Sequence, residues 1–351
     1  MIAAHLLPMA WVHDFSPFVV RLSGDFGIRW YGLSYVGGFV IAWLLIRLLA
    51  RRGFIPMRPE RAADAILILG IGAVVGGRLG YIVFYQPSLL WTFDPGPPWW
   101  NALAITKGGM ASHGGVIGSI VACFIVARTM TTGTHRVLRW TDVIAMAAPL
   151  GLGLGRLANF VNGELLGKIT APAGTAAPWW AIHYPKEVIE RPGEVTDAQL
   201  EGLRQAALSE GVSSYSALVD RLQQGTAGVA EKMQPFLNAR HPSQLYQALA
   251  EGLVVFVVVW WVARVPRRPG IVGSWFLISY GVGRIVTEVW RLPDSHLEVA
   301  RILGLSRGQW LSVLMILAGA IAIAIISRST MPKVGGWATS KPTEPAEPAS
   351  D

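Results

Sequence analysis

Apolar residues along this chain run in long blocks, not in the short alternations or one-sided stripes of a soluble fold. A helix that crosses a bilayer needs about 20 mostly apolar residues. Seven segments approach that length: 31–50, 63–84, 112–128, 141–160, 244–263, 270–289 and 309–327. The third is short, and the fourth is rich in glycine and interrupted by Pro149. The connection from the fourth to the fifth, residues 161–243, is long and mixed in charge. Within it "DAQLEGLRQAALSEG" and "SYSALVDRLQQG" pattern as short amphipathic helices. The expectation is an all-α polytopic membrane protein of about seven transmembrane helices, with a small folded head between helices four and five. Its parts are helices one to four (1–160), the head (161–243), helices five to seven (244–328) and a tail (329–351). That tail is rich in proline, alanine and glutamate and is expected to be disordered. No inverted internal repeat of the kind found in secondary transporters is visible.

Composition agrees with that reading. Of 351 residues, 52% are hydrophobic and only 15% charged, against roughly 25% charged in an ordinary soluble protein. The single cysteine, Cys123, excludes a disulfide within the chain and a cysteine-rich metal site. The net charge of +8 would suggest nucleic acid in a soluble protein. Here it traces to arginines in alternate loops, so no nucleic-acid partner is expected. Arg51, Arg52, Arg58 and Arg61 follow helix one, Arg128, Arg136 and Arg139 follow helix three, and Arg264, Arg267 and Arg268 follow helix five. The loop after helix two carries only Lys107. The positive-inside rule then puts the N-terminus outside and the C-terminus in the cytoplasm. The opening "MIAAHLLPMAWVHDF" lacks a basic leader and a long apolar core, so no cleavable signal peptide is expected.

Ionisable groups inside a span are costly and mark candidate chemistry. Arg78, Arg156, Glu251, Arg284 and Glu288 are such groups. Snorkelling to a helix end accounts for some of them, and Arg284 with Glu288 has the spacing of an intrahelical pair. Glu251 reads as one buried hydrogen bond to a nearby helix. Arg78, Arg156 and Arg284 all fall in the outward third of their helices. Together they would repel one another unless an anion sat among them, and the planar guanidinium fork suits a phosphate. The membrane's own phosphate is a phospholipid headgroup.

The stretch "GLGLGRLANFVNGE", residues 151–164, carries most of this chemistry. Arg156, Asn159 and Gly163 share a helical face, with Asn162 nearby. Gly151, Gly153 and Gly155 read first as helix-packing residues. A nucleotide-binding G-x-G-x-x-G would need glycine at position 156, where arginine stands, and no strand precedes it. Among the histidines, His113 opens helix three in "SHGGVIG" and is either a structural residue or a base at neutral pH. His241 leads into helix five in "HPSQLY", which reads as a helix start. His183 falls in the head, and His5, His13, His135 and His296 read as ordinary loop residues. None has a zinc-ligand spacing. Tyr31 and Tyr280 are interfacial or site residues; Tyr280, Arg284 and Glu288 share a face.

"SHGGVIG", "GLGLGRLANFVNGELLGK", "RHPSQLYQALAEG" and "YGVGRIVTEVWRLPD" together resemble the bacterial prolipoprotein diacylglyceryl transferases. The likeness runs from "WYGLSY" near the N-terminus to helix seven. It implies transfer of the diacylglyceryl group of phosphatidylglycerol to the lipobox cysteine thiol of a preprolipoprotein signal peptide, at the periplasmic face of the inner membrane, with no cofactor and no metal. By motif it implies essential roles for Arg156 and Arg284 and a functional His113. It implies that Tyr31, Asn159, Gly163, Glu164, Tyr280 and Glu288 line the site, with Arg78, Asn162, His241 and Arg291 behind them. Two other classes also use buried arginines. An organic-anion transporter or channel would show pseudo-symmetric halves, and a non-catalytic lipid-binding scaffold would have no need of His113.

Overall fold

The structure, a computed structural model, describes residues 10–24, 26–105, 108–292 and 304–338. Lys107, His5, His296 and the tail beyond residue 338 lie outside the described residues. Every one of the seven apolar segments is helical. The chain runs through α1 (Trp30–Arg51), α2 (Ala62–Phe84), α3 (Ser112–Thr129) and α4 (Arg136–Asn162). Four short helices follow: α5 (Glu187–Glu190), α6 (Asp197–Ser209), α7 (Tyr215–Gln223) and α8 (Val229–Met233). The last three are α9 (Ser243–Ala263), α10 (Ile271–Thr287) and α11 (Arg307–Arg328). Among the described residues, α1, α2, α4, α9 and α11 are long and apolar enough to cross a membrane; α3 and α10 are apolar but shorter. Helix α4 continues through Pro149.

The all-α expectation needs one correction, because the chain also forms strands. The strands β1 (Trp11–Val12), β2 (Phe18–Ser23), β3 (Phe26–Arg29), β4 (Ile169–Ala171), β5 (Ile182–His183) and β6 (Ala239–Arg240) make a sheet ordered β1-β5-β6-β4 and a β2–β3 hairpin. Most are two to four residues long, too short for a period-two pattern to register in sequence.

The chain divides into two compact units. The first contains residues 1–38, 149–257 and 277–318, and the second residues 39–148, 258–276 and 319–351. In the first unit, the segment between α4 and α9 has its own apolar core, in which Leu203, Leu218, Leu222, Val229 and Met233 pack with Val12. Helix α6 starts at a capping box: Thr196 Oγ1 accepts from Gln199 N, and Gln199 Oε1 accepts from Thr196 N. Beside this core Arg240, fully buried, donates to Glu187 at 2.7 Å and to Glu194 at 2.9 Å. Burial pushes the Glu187 carboxyl up, and Arg240 opposes that shift.

His13 ties the N-terminal segment to the end of α4. Its Nε2 lies 2.7 Å from the Phe160 carbonyl, so that nitrogen carries the proton. Burial lowers its pKa to about 4, against the pull of the Phe160 carbonyl and Asp14.

In the second unit α2 and α3 meet backbone to backbone. A methyl on Gly80 would lie 2.6 Å from Gly114 Cα, and one on Gly76 2.7 Å from Gly118 Cα. Glycines at four-residue spacing on both helices permit this approach. Asp142 of α4 caps α10, accepting from Gly270 N and Gly273 N at 2.8 Å each.

The His13 imidazole predicts an acid-sensitive fold. Below about pH 6.5 the unfolded chain takes up a proton that the folded chain refuses until about pH 4. Stability is therefore retained above that window and lost as pH falls through it, by about 3 kcal/mol in all. Thermal unfolding of the detergent-solubilised protein between pH 7 and 4 should show this loss, and His13→Gln should flatten the slope.

Candidate functional site

The apolar helix α9 widens to a π-helical stretch over Ala248–Val254, and Glu251 sits inside it. Such bulges are frequent where a helix must re-aim a functional side chain. Small residues bring two neighbouring helices against that stretch. A methyl on Gly252 would lie 2.7 Å from Gly153 Cα of α4, and one on Gly283 of α10 3.2 Å from the Ala250 carbonyl. Gly153 thus fits the packing reading. These approaches place one charged residue from each helix together. Glu251 Oε2 meets Arg156 Nη2 at 3.1 Å, and Glu251 Oε1 meets Arg284 Nη1 at 3.4 Å. Thr287 Oγ1 donates to the same Oε1 at 3.0 Å.

A second carboxylate extends the network. Glu288 Oε2 pairs with Arg284 Nη2 at 3.2 Å and with Arg291 Nη1 at 3.6 Å. Ser306, at the start of α11, donates to Glu288 Oε1 at 3.1 Å. Arg284 and Glu288 therefore form the intrahelical pair that their spacing suggested, but not in isolation. Among these five ionised groups, three guanidiniums face two carboxylates, which leaves one positive charge. Glu251 is 1% exposed, whereas Arg156 keeps 20% of its side chain open. Tyr280 lies close enough to Arg156 and Arg284 to feel both charges. One Glu251 oxygen engages only part of the Arg156 guanidinium's five donors. The geometry is a cationic cluster backed by a sealed anion, with Arg156 partly open.

The loop after α4 is fixed by backbone geometry. Gly163 has φ +63°. Gly163 N donates to Phe160 O at 2.9 Å and Glu164 N to Asn159 O at 3.0 Å, the paired bonds of a helix ended by a left-handed residue. Gly163 acts here through conformation, and a methyl on it would lie 3.3 Å from His13. The "HPSQ" segment clamps the same loop. Helix α9 does begin at Ser243, as expected, yet Ser243 Oγ also donates to Leu165 O at 3.1 Å. Gln244 Nε2 donates to Glu164 O at 2.6 Å. From the other side, Lys168 N bonds Trp290 O at 2.9 Å and Leu292 N bonds Leu166 O at 3.3 Å. The Glu164 side chain pairs with Lys186 at 3.6 Å, and among the described residues with no arginine.

The first unit thus brings together Arg156, Arg284, Glu288, Tyr280 and Arg291. Asn159 is buried near the end of α4, and Asn162 has a buried Oδ1 with no hydrogen-bond partner among the described residues. Tyr31 lies in the first turn of α1, packs its ring 5.3 Å from that of Tyr35 and feels the charges of Glu164 and Arg156. His241 packs on Trp180 at 5.0 Å, and its Nδ1 is 3.4 Å from Tyr246 Oη. Burial and Lys168 hold the His241 imidazole below its usual range. Arg78 and His113 belong to the second unit. His113 is exposed in the first turn of α3. Arg78 is buried and donates to the carbonyls of Asn101, Ala102, Gly108 and Gly109, so backbone occupies its fork.

Sequence reasoning missed two residues. It gave Glu251 a single structural hydrogen bond, where the structure gives it three partners. A charge count offered a signal, since two buried arginines require an anion. It took His13 for an ordinary loop residue, and a two-residue strand carries no signal that would have warned otherwise.

The sequence profile of the prolipoprotein diacylglyceryl transferase family matches residues 17–325. The phosphatidylglycerol–prolipoprotein diacylglyceryl transferase of Bdellovibrio bacteriovorus is 38% identical over 348 residues, covering 93% of this chain and 97% of that protein. The protein of the same name from Ralstonia pickettii is 38% identical over 309 residues, 87% of this chain and 91% of its own. That of Neisseria gonorrhoeae is 35% identical over 311 residues, 88% and 95% respectively. The match spans the loop after α4, the arginine-bearing helices and the "HPSQ" clamp alike, and the chain belongs to the prolipoprotein diacylglyceryl transferase family.

Proposed function

We propose that this protein transfers the diacylglyceryl group of phosphatidylglycerol to the lipobox cysteine thiol of a preprolipoprotein, forming a thioether and releasing glycerol phosphate. Family membership and the names of its relatives support the reaction. The observation that carries the site assignment is the pair Arg156 and Arg284 sharing the sealed carboxylate of Glu251.

In this reading the substrate's sulfur attacks the glycerol carbon that bears the phosphate. The S–C bond forms, the C–O bond breaks, and the phosphate leaves with the electron pair. Charge grows on the leaving phosphate, and guanidiniums held in advance stabilise it without reorganisation. Glu251 holds both forks and offsets their mutual repulsion. Tyr280 and Glu288 orient the same two arginines, while Tyr31, Asn159, Asn162, Glu164 and His241 serve the headgroup. The nucleophile belongs to the substrate. Its thiol, with a reference pKa near 8.5, needs a proton acceptor, and His113 is the candidate. Arg78 serves by fastening the loop that leads into α3. The charge pattern of the loops supports a seven-pass topology in the bacterial inner membrane, with the N-terminus and head periplasmic and the C-terminus cytoplasmic.

Purified protein given phosphatidylglycerol and a lipobox peptide should yield the thioether, detected as a mass increase on the cysteine; no product would sink the reading. Arg156→Lys keeps the charge but loses the planar fork, and should cut kcat/KM by about 100-fold. Near-normal turnover would remove the phosphate clamp. Glu251→Gln keeps shape but leaves the arginines without their shared anion, and should lower kcat/KM by about 10- to 100-fold. Steady-state kinetics on the folded variant checks this, with circular dichroism as the control for folding.

A further inference from the structure

The backbone contact of α2 with α3 leaves a furrow. Gly72, Gly76 and Gly80 of α2 and Gly114 and Gly118 of α3 form its floor. Where two backbones touch, the side chains flanking the contact splay apart and become walls. Val75 and Leu79 form one wall, and Ile117 and Val121 the other. All four are about half exposed. The groove holds about 580 Å³, within the range of small-molecule sites.

Three observations say what covers it. The lining is wholly apolar, so hydrocarbon fits and a headgroup does not. The groove follows α3 from Gly114 to Ile125, which at 1.5 Å per residue is about 16 Å. That is close to half of the roughly 30 Å hydrocarbon core, the depth of one leaflet. Its Gly114 end adjoins His113, the candidate proton acceptor.

We infer that the α2–α3 furrow is the track for one acyl chain of the diacylglyceryl donor, with the glycerol end of that chain at His113. This rests on the transfer reaction proposed above. The glycine floor then has two duties: it draws the helices together, and it leaves an apolar slot between the flanking side chains. Val75, Ile117 and Val121 are β-branched and stiff at χ1, and the slot's limited length makes chain length a specificity parameter of the enzyme.

The test compares dipalmitoyl- with dioctanoyl-phosphatidylglycerol as donors for the full-length enzyme. Val121→Trp fills the slot deep below His113, where only the longer chain reaches. The ratio of kcat/KM for the long donor to that for the short one should fall about tenfold relative to the unaltered protein, the burial of about two methylenes. An unchanged ratio overturns the proposal. If the unaltered enzyme transfers from neither donor, the reaction proposed above has failed, not the groove. A second measurement needs no variant. Phosphatidylglycerol with a diazirine in its palmitoyl chain should crosslink to α2 and α3. Excess phosphatidylglycerol should compete that label away and excess phosphatidylcholine should not. Labelling that both lipids displace equally would mark the furrow as a seat for bulk bilayer lipid and overturn the assignment.

Discussion

A carboxylate that is almost wholly sealed from solvent, Glu251, is held between two guanidiniums from two other helices. The meeting of α4, α9 and α10 in the first unit centres on that contact. Removing either partner type would leave charge stranded in an apolar setting, where an unpaired ion costs several kcal/mol. The helices are built to prevent this. Gly153 precedes Arg156 by three residues, Gly252 follows Glu251, and Gly283 precedes Arg284. Each glycine lies at a close approach to a neighbouring helix. Small residues therefore set the distance between axes, and that distance lets the three charged side chains meet. The π-helical stretch of α9 is the backbone's adjustment to the same requirement.

Around this contact lies a second layer made mostly of backbone hydrogen bonds. The end of α4 exposes carbonyls that an apolar setting cannot solvate. Gly163, His13, Ser243 and Gln244 take up or turn those groups, and the strand-like passage through Trp290 and Leu292 closes the other side. Residues far apart in sequence thus hold one short loop, the one that follows Arg156 and Asn159. The folded segment between α4 and α9 repeats the logic: its sealed Arg240 has two carboxylate partners and its apolar core is separate.

Arginine illustrates how surroundings assign duty. Arg156 and Arg284 face carboxylates. Arg78, more deeply buried, spends its fork on the carbonyls of the loop before α3. The α2–α3 pair, packed glycine on glycine, is shaped instead by the absence of side chains.

The seven helices, the amphipathic helices between the fourth and fifth long ones, and the arginine-bearing motifs were legible in the sequence. Hydrophobic period and run length are local properties, and bilayer thickness converts them into helix lengths. Motif spacing likewise marked Arg156, Arg284, Tyr280 and Glu288. The short strands, the helix-ending role of Gly163, the clamp made by Ser243 and Gln244, and the engagement of Arg78 were not legible. Neither was Glu251 as the shared counterion. Each of these depends on which distant backbone or side chain lies within about 3 Å, and helix packing sets that distance, not any pattern along one helix. The order of residues determined which kinds of charge fall within the apolar helices. Only the tertiary structure decided which charges meet, because a desolvated ion must find its partner in space and the chain order does not say where that partner will be.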